Sequence, residues 1–251
     1  MTKTRFALIL LTSAALTACV PQQQKQEKAM SNKAENMLHI AERSREAGDL
    51  NTAAELYQRA ADMSKGSVEA HLSLADMLMQ RGETEKAIET LKKAQALQPD
   101  NLDLTKRLGQ AYIGNGDGEN AFKVFEEAAR KYPKDASLVN GKAVSLDLMR
   151  DFEGADNAYR QALTLNPTAD YIRNNLALSL VMRGEYDEAI RILEPLVNEA
   201  ENPSPTSRQN LALAYGMKGD KEKARELGLQ DLDKAEVEKN LKFYEHFKNA
   251  E

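Results

Sequence analysis

The sequence has few of the residues on which disulfide-stabilised and β-rich proteins depend. It contains no tryptophan, one cysteine and 6% aromatic residues in 251 positions. A single cysteine excludes an intramolecular disulfide. Glycine and proline are also scarce, with 13 and 7 residues, so the chain is neither collagen-like nor of low complexity. Abundant alanine, leucine, glutamate and lysine then favour an all-helical fold over a β-sandwich.

The sequence also lacks the charge pattern of a nucleic-acid-binding protein. It has 34 basic and 39 acidic residues, a formal net charge of −5, and no concentrated basic stripe. Proteins that bind DNA or RNA normally carry an excess of positive charge on one face. We therefore expect no nucleic-acid partner.

Motifs of common enzyme active sites are absent from the sequence as well. It has no G-x-S-x-G, P-loop or H-E-x-x-H motif. Its histidines, His39, His71 and His246, do not have the spacing of metal ligands, with or without Cys19. We expect no catalytic residue, no metal site, no cofactor and no small-molecule substrate.

The N-terminus has the pattern of an exported protein. Lys3 and Arg5 precede an apolar stretch over residues 6–16, which is too short to span a bilayer comfortably. This pattern predicts a signal peptide over residues 1–18. Residues 16–19, Leu-Thr-Ala-Cys, resemble the lipobox of bacterial lipoproteins. An ordinary signal peptide followed by an unrelated cysteine is the alternative.

The lipobox resemblance implies that Cys19 becomes the first residue of the mature chain. Its thiol would carry a diacylglyceryl group and its amine an acyl chain, which together anchor a protein stably to a membrane. Val20, in place of an aspartate, implies the periplasmic face of the outer membrane. Residues 19–33 are polar without a helical apolar stripe, so we expect a flexible tether with a reach of about 20 Å.

An internal repeat occupies most of the remaining chain. Pairs of glycine, once arginine, with an acidic residue recur at intervals of 34, 34, 34, 34 and 35 residues. The pairs are Gly48-Asp49, Gly82-Glu83, Gly116-Asp117, Arg150-Asp151, Gly184-Glu185 and Gly219-Asp220. An alanine follows five positions after the first member of each pair. Glycine ends a helix in the left-handed conformation and the acid favours the start of the next helix, so each period predicts two helices joined by a tight turn.

These columns resemble the tetratricopeptide repeat over residues 34–238. The resemblance implies an all-α fold: a right-handed superhelical solenoid of six repeats with a C-terminal capping helix over residues 239–251. The predicted repeats are 34–67, 68–101, 102–135, 136–169, 170–203 and 205–238. Arg150 replaces glycine in the fourth repeat, which we expect to be the loosest. In the capping helix, Val237, Leu241, Tyr244 and Phe247 are expected to form one packing face.

In proteins with this repeat, ligands usually contact positions 2, 5, 9, 12 and 13 on the concave face. In the first two repeats these positions are largely acidic. In the fifth and sixth they are uncharged and mainly apolar, which suits an extended or helical peptide. The predicted peptide-binding groove comprises Tyr171, Asn174, Leu178, Val181, Met182, Gln209, Leu213 and Met217. The alternative is that the final helix folds back and covers these residues as core.

Residues 208–213, Arg-Gln-Asn-Leu-Ala-Leu, resemble a motif of the repeat-containing lipoproteins of the tight-adherence (Tad, Flp pilus) system, TadD-like. This resemblance covers the last two repeats well. It implies a pilotin-type factor in pilus biogenesis that helps the outer-membrane secretin to assemble or localise. The secretin, or other pilus and secretion-system envelope proteins, would be its partners. An adaptor for a periplasmic protease or for cell-wall enzymes is the alternative, and self-association stays open.

Overall fold

The computed structural model describes residues 13–63 and 67–248. Within these ranges the chain forms thirteen α-helices and no β-strand, which confirms the predicted all-α fold. The helices are α1 (Ser13–Glu46), α2 (Leu50–Met63), α3 (Val68–Gln80), α4 (Thr84–Leu97), α5 (Leu102–Gly114), α6 (Gly118–Lys131), α7 (Ala136–Leu148), α8 (Phe152–Leu165), α9 (Asp170–Met182), α10 (Tyr186–Asn198), α11 (Pro205–Lys218), α12 (Lys221–Gly228) and α13 (Lys234–Lys248).

The chain divides into two compact units, Met1–Ala111 and Tyr112–Glu251. In the described part of the first unit, α1 packs on α2, α2 on α3 and α3 on α4. In the second unit, each helix from α6 to α12 packs on the next along the chain. The first helices of neighbouring repeats, α7, α9 and α11, also contact one another, and α13 packs on α11 and α12.

The turn inside each repeat has the predicted left-handed backbone. Its glycines have φ angles between 71° and 107°: Gly48, Gly82, Gly116, Gly184 and Gly219. Arg150 has the same conformation, with φ 61°, although a side chain is strained there. The fourth repeat therefore keeps the geometry of the turn without the residue that favours it.

The repeated alanines form the core together with a second set of residues, the bulky apolar or aromatic residues four positions after the first five alanines. All six alanines that follow the turns are at most 2% exposed, because they lie where two helices cross closely. The bulky residues four positions later are also buried: Tyr57, Leu91, Phe125, Tyr159 and Leu193. The columns that the sequence repeats are thus the residues that pack the two helices together.

Aspartate and glutamate behave differently after these turns. Asp117, Asp151 and Asp220 each accept a hydrogen bond from the backbone N–H three residues later and cap the following helix. Glu83 and Glu185 make no such cap. The longer glutamate side chain pairs with a preceding arginine instead, so these two glutamates do not form the expected side-chain cap.

Helix α1 continues through the segment predicted to be a tether. Its backbone is helical over residues 19–33, and the many Gln, Lys, Glu and Ala residues there have high helix propensity. Residues 1–12 of the predicted signal peptide, and the side chain of Cys19, lie outside the described part of the chain. No helix of the described residues is long and apolar enough to span a membrane.

Helix α13 begins at Lys234, earlier than the predicted start at residue 239. Asp233 and Glu236 form a reciprocal capping box: the Glu236 N–H donates to Asp233 Oδ1 at 2.9 Å, and the Asp233 N–H donates to Glu236 Oε2 at 3.2 Å. This start leaves α12 only 8 residues long. The second helix of the sixth repeat is therefore shortened, and the capping helix is lengthened at its expense.

Candidate functional site

Five of the eight predicted groove residues line a single cavity of about 590 Å³ in the second unit. They come from α9 and α11: Leu178, Val181, Met182, Leu213 and Met217. Val144 and Leu148 of α7 and Phe243 and Phe247 of α13 line the same cavity. We call this cavity the second-unit groove. Phe152 and Tyr159 of α8 complete the lining, so its walls are mainly apolar side chains from five helices.

The other three predicted residues lie elsewhere. Asn174 is buried, and its Nδ2 donates to Ser207 Oγ and to the Asp170 carbonyl, both at 2.9 Å. Gln209 Nε2 donates to Asp231 Oδ2 at 3.2 Å. Tyr171 lines a different, more open cavity. Asn174 and Gln209 bond to a neighbouring helix or turn, and Tyr171 is 46% exposed at the other cavity, so these three predicted residues do not line the second-unit groove.

Helix α13 covers only part of this surface. Val237, Leu241 and Tyr244 are buried in the core of the second unit. Phe247, which we expected on the same face, is 48% exposed and lines the groove together with Phe243, which is 57% exposed. The helix thus packs with one face and presents two aromatic rings to the groove with another.

Leu178 and Met182 remain exposed on the opposite side of the groove, at 37% and 54%. The α9 wall is therefore accessible, whereas α13 covers α11. The sequence allowed two alternatives, an open groove or a core covered by the final helix. The first describes the α9 side of this surface and the second describes the α11 side.

A buried carboxylate lies at the base of the groove. Asp147, near the end of α7, is 8% exposed; its Oδ1 accepts from Ser179 Oγ at 2.6 Å, and its Oδ2 accepts from Tyr159 OH at 2.8 Å. Burial raises the pKa of this carboxyl, while the two hydrogen bonds and the charge of Arg183 act in the opposite direction. Burial, and then the charge of Asp147, raises the pKa of Tyr159. Nothing in the sequence indicated this group, because Asp147 belongs to no motif and to none of the repeated columns.

The role of Phe243 and Phe247 as groove-lining residues could have been predicted from their positions in the sequence. They are four residues apart and therefore share one side of α13, and Phe243 is off the stripe that was expected to include Val237, Leu241, Tyr244 and Phe247. Two aromatic residues on the otherwise polar side of a helix indicate a second contact surface. That surface is the groove wall.

The first unit presents charged side chains at the same repeat positions. Glu42 pairs with Arg45 and accepts from Tyr57 OH at 2.5 Å, which together lower the pKa of Glu42 to about 2. Asp76 pairs with Arg107 at 3.0 Å. In the described residues, no group of three or more His, Cys, Asp or Glu is arranged to hold a metal ion.

The sequence matches the family described as Tetratricopeptide repeat over residues 44–101, 78–144 and 148–206. No curated protein sequence matches the chain.

Solved structures share the fold. A tetratricopeptide repeat protein of Parabacteroides merdae has a TM-score of 0.74 at 17% identity, with 84% of each chain covered. The thermophilic TPR protein TTC0263 of Thermus thermophilus has a TM-score of 0.60 at 26% identity, covering 72% of this chain and 98% of its own. PilF of Pseudomonas aeruginosa has a TM-score of 0.58 at 19% identity, covering 80% and 91%. These similarities are similarities of fold.

Proposed function

Because the chain belongs to the tetratricopeptide-repeat family, whose members generally mediate protein–protein interaction and are typically non-catalytic scaffolds, we propose that its second-unit groove binds a segment of a partner protein. The observation that supports this proposal is the cavity of about 590 Å³, whose walls are mainly apolar side chains from five helices. Contiguous exposed apolar surface is costly in water and is typical of binding sites.

The shape and chemistry of the groove favour a peptide segment with apolar side chains. Full burial of one leucine-sized side chain contributes about 1.5–3 kcal/mol, and several such side chains are needed to offset the entropic cost of association. Met182 and Met217 have flexible, polarisable side chains that adapt to different partners. Helical walls on both sides suit an amphipathic helix laid between them.

We propose further that the protein acts at a membrane surface. The lipobox resemblance supports a diacylglyceryl group and an acyl chain on Cys19, and Val20 supports the periplasmic face of the outer membrane. In this proposal the covalent lipid is the only non-protein group. The lipid determines the location, and the groove determines the partner.

The most specific part of the proposal is a role in Tad/Flp pilus biogenesis, in which the protein helps the secretin to assemble or localise. Its support is the resemblance of residues 208–213 to the TadD-like lipoproteins. In the structure, Arg208 Nε donates to Asp231 Oδ2 at 2.8 Å and Asn210 Nδ2 donates to Asn174 Oδ1 at 3.2 Å. The first contact lies within the sixth repeat and the second joins the sixth repeat to the fifth, so the motif bears on family membership and not on the identity of the partner.

The pilus proposal is tested by following the secretin in cells. Secretin multimers and their membrane fraction are compared in cells with the wild-type protein, without it, and with Cys19→Ser. We expect fewer multimers, or multimers in the inner membrane, in both altered strains. An unchanged secretin in all three strains contradicts the pilus role and directs attention to the adaptor alternative.

The groove proposal has its own test, which does not assume a partner. A photo-crosslinking residue at position 182 captures partners in wild-type cells, and Leu178→Glu combined with Leu213→Glu places two charges in the groove. We expect the double variant to lose the crosslinks and to retain its helical circular dichroism. Leu229→Glu is the matched control, because Leu229 is 49% exposed and does not line the groove. Crosslinks that persist in the double variant contradict the proposal.

A further inference from the structure

We infer that Asp147 selects a cationic side chain, lysine or arginine, on the segment that enters the second-unit groove. The inference rests on the proposed function, since it concerns the partner of the same groove. It specifies a segment in which a basic residue is flanked by apolar ones.

Asp147 is held in one orientation by two hydrogen bonds. Its partners Ser179 and Tyr159 are on different helices, α9 and α8, and each is at most 1% exposed. All three residues line the groove. A carboxylate positioned in this way on the groove surface is preorganised, so a ligand does not bear the entropic cost of ordering it.

The charge of Asp147 has no direct counterion. Among the described residues its carboxylate forms no ion pair, and Arg183, whose charge acts on it, pairs with Glu185 at 2.5 Å. Arg150 lies at the exposed edge of the groove. The hydrogen bonds from Ser179 and Tyr159 therefore provide most of the local stabilisation of this buried charge.

Filling the groove changes the environment of this carboxylate. A purely apolar segment would remove the remaining contact of the Asp147 carboxylate with water. Because it would supply no hydrogen bond or opposite charge in return, its binding would be unfavourable. A cationic side chain supplies a charge-assisted hydrogen bond, and the methylene stem of lysine or arginine packs well along apolar walls. An acidic segment would be repelled. The net charge of −5 also favours encounter with a basic partner.

The test uses a displayed library of random 16-residue peptides, selected separately on the wild-type protein, on Asp147→Asn and on the Leu178→Glu, Leu213→Glu double variant. We expect wild-type selection to enrich peptides with a lysine or arginine between apolar residues. Selection on Asp147→Asn should keep the apolar residues and lose the basic one. The double variant should enrich neither.

Affinities then measure the selectivity. The strongest wild-type peptide and a version with its basic residue replaced by methionine are titrated against each protein. We expect the methionine version to bind wild type at least about tenfold more weakly, and Asp147→Asn about equally well. The control Asp187→Asn, whose side chain is 80% exposed outside the groove, should behave as wild type.

The outcomes separate the two proposals. Groove-dependent peptides without a basic preference, or an equal preference in Asp147→Asn, would overturn the role of Asp147 and leave the groove proposal intact. Failure to select any peptide that depends on Leu178 and Leu213 would overturn both. Because the comparison of two peptides on the wild-type protein needs no variant, the inference stays testable even if Asp147→Asn folds poorly.

Discussion

The ring of Tyr244 lies so close to Gly216 that a Cβ on this glycine would be 2.1 Å from the ring carbon Cδ2. Helix α13 therefore reaches α11 only because position 216 has no side chain. Val237 approaches Gly228 of α12 in a similar but looser way, with a Cβ distance of 3.1 Å. These two glycines determine where α13 packs, and hence where Phe243 and Phe247 line the groove.

Gly216→Ala is expected to displace α13. The methyl group would overlap the Tyr244 ring, and overpacking of this kind costs about 1–3 kcal/mol. We expect a lower melting temperature and faster proteolysis within α13. Gly114→Ala is the control, because the added Cβ has no neighbour within 4 Å and the backbone there is helical. Equal stability of Gly216→Ala and Gly114→Ala would contradict this packing.

Arg150→Gly is expected to stabilise the fourth repeat. The left-handed backbone at φ 61° strains arginine and suits glycine, and relief of this strain exceeds the entropy that glycine adds to the unfolded chain. We expect the free energy of unfolding, from urea titration, to rise by about 0.5–1 kcal/mol. The reverse experiment, Gly184→Ala at φ 77°, should lower it by a similar amount. If Arg150→Gly lowers the free energy of unfolding, the arginine side chain stabilises the fold by more than its backbone strain costs.

Tyr159→Phe is expected to destabilise the second unit through Asp147. Loss of the hydroxyl leaves the buried carboxylate with one donor fewer, which costs about 1–3 kcal/mol. Tyr57 occupies the same repeat column and donates to Glu42, whose side chain is 46% exposed. Tyr57→Phe should therefore cost less, since water replaces the lost donor. Chemical denaturation of both variants provides the comparison, and equal losses would count against the burial of Asp147.

The pair Arg208–Asp231 is expected to contribute stability that depends on pH. The hydrogen bond from Arg208 lowers the pKa of Asp231 below its ordinary value of 3.8. A carboxyl with a lowered folded-state pKa stabilises the fold above pH 3.8, and this contribution disappears as the pH falls through the folded-state value. Asp231→Asn should therefore reduce the melting temperature at pH 7 and have a smaller effect near pH 2. A constant difference across this range would show that the ion pair contributes nothing.

Much of the fold was predictable because short-range sequence patterns specify each repeat. The 34-residue spacing of Gly184 and its equivalents, and the alanine five residues later, predicted the turns and the helix crossings. The start of α13 also had a local sequence signal, the capping box of Asp233 and Glu236. The repeat columns, however, led us to predict a start at residue 239.

The groove was predictable only in part. Leu178 and Met182 line the cavity, since a regular repeat fixes which side of α9 each residue faces, and their role in peptide binding stays a prediction. Asn174 and Gln209 were misplaced because a position number does not show which polar partner lies on the next helix or turn. Ser207 and Asp231 are those partners.

The sequence by itself determined the helices, the left-handed turns and the small-residue core, because each follows from a local backbone preference or a periodic pattern of burial. Only the tertiary structure decided the groove. The ring of Tyr244 against Gly216, the two aromatic residues facing α9, and the carboxylate of Asp147 between Ser179 and Tyr159 bring together residues that are distant along the chain. Their contacts depend on the packing of one helix against another, which no single segment encodes.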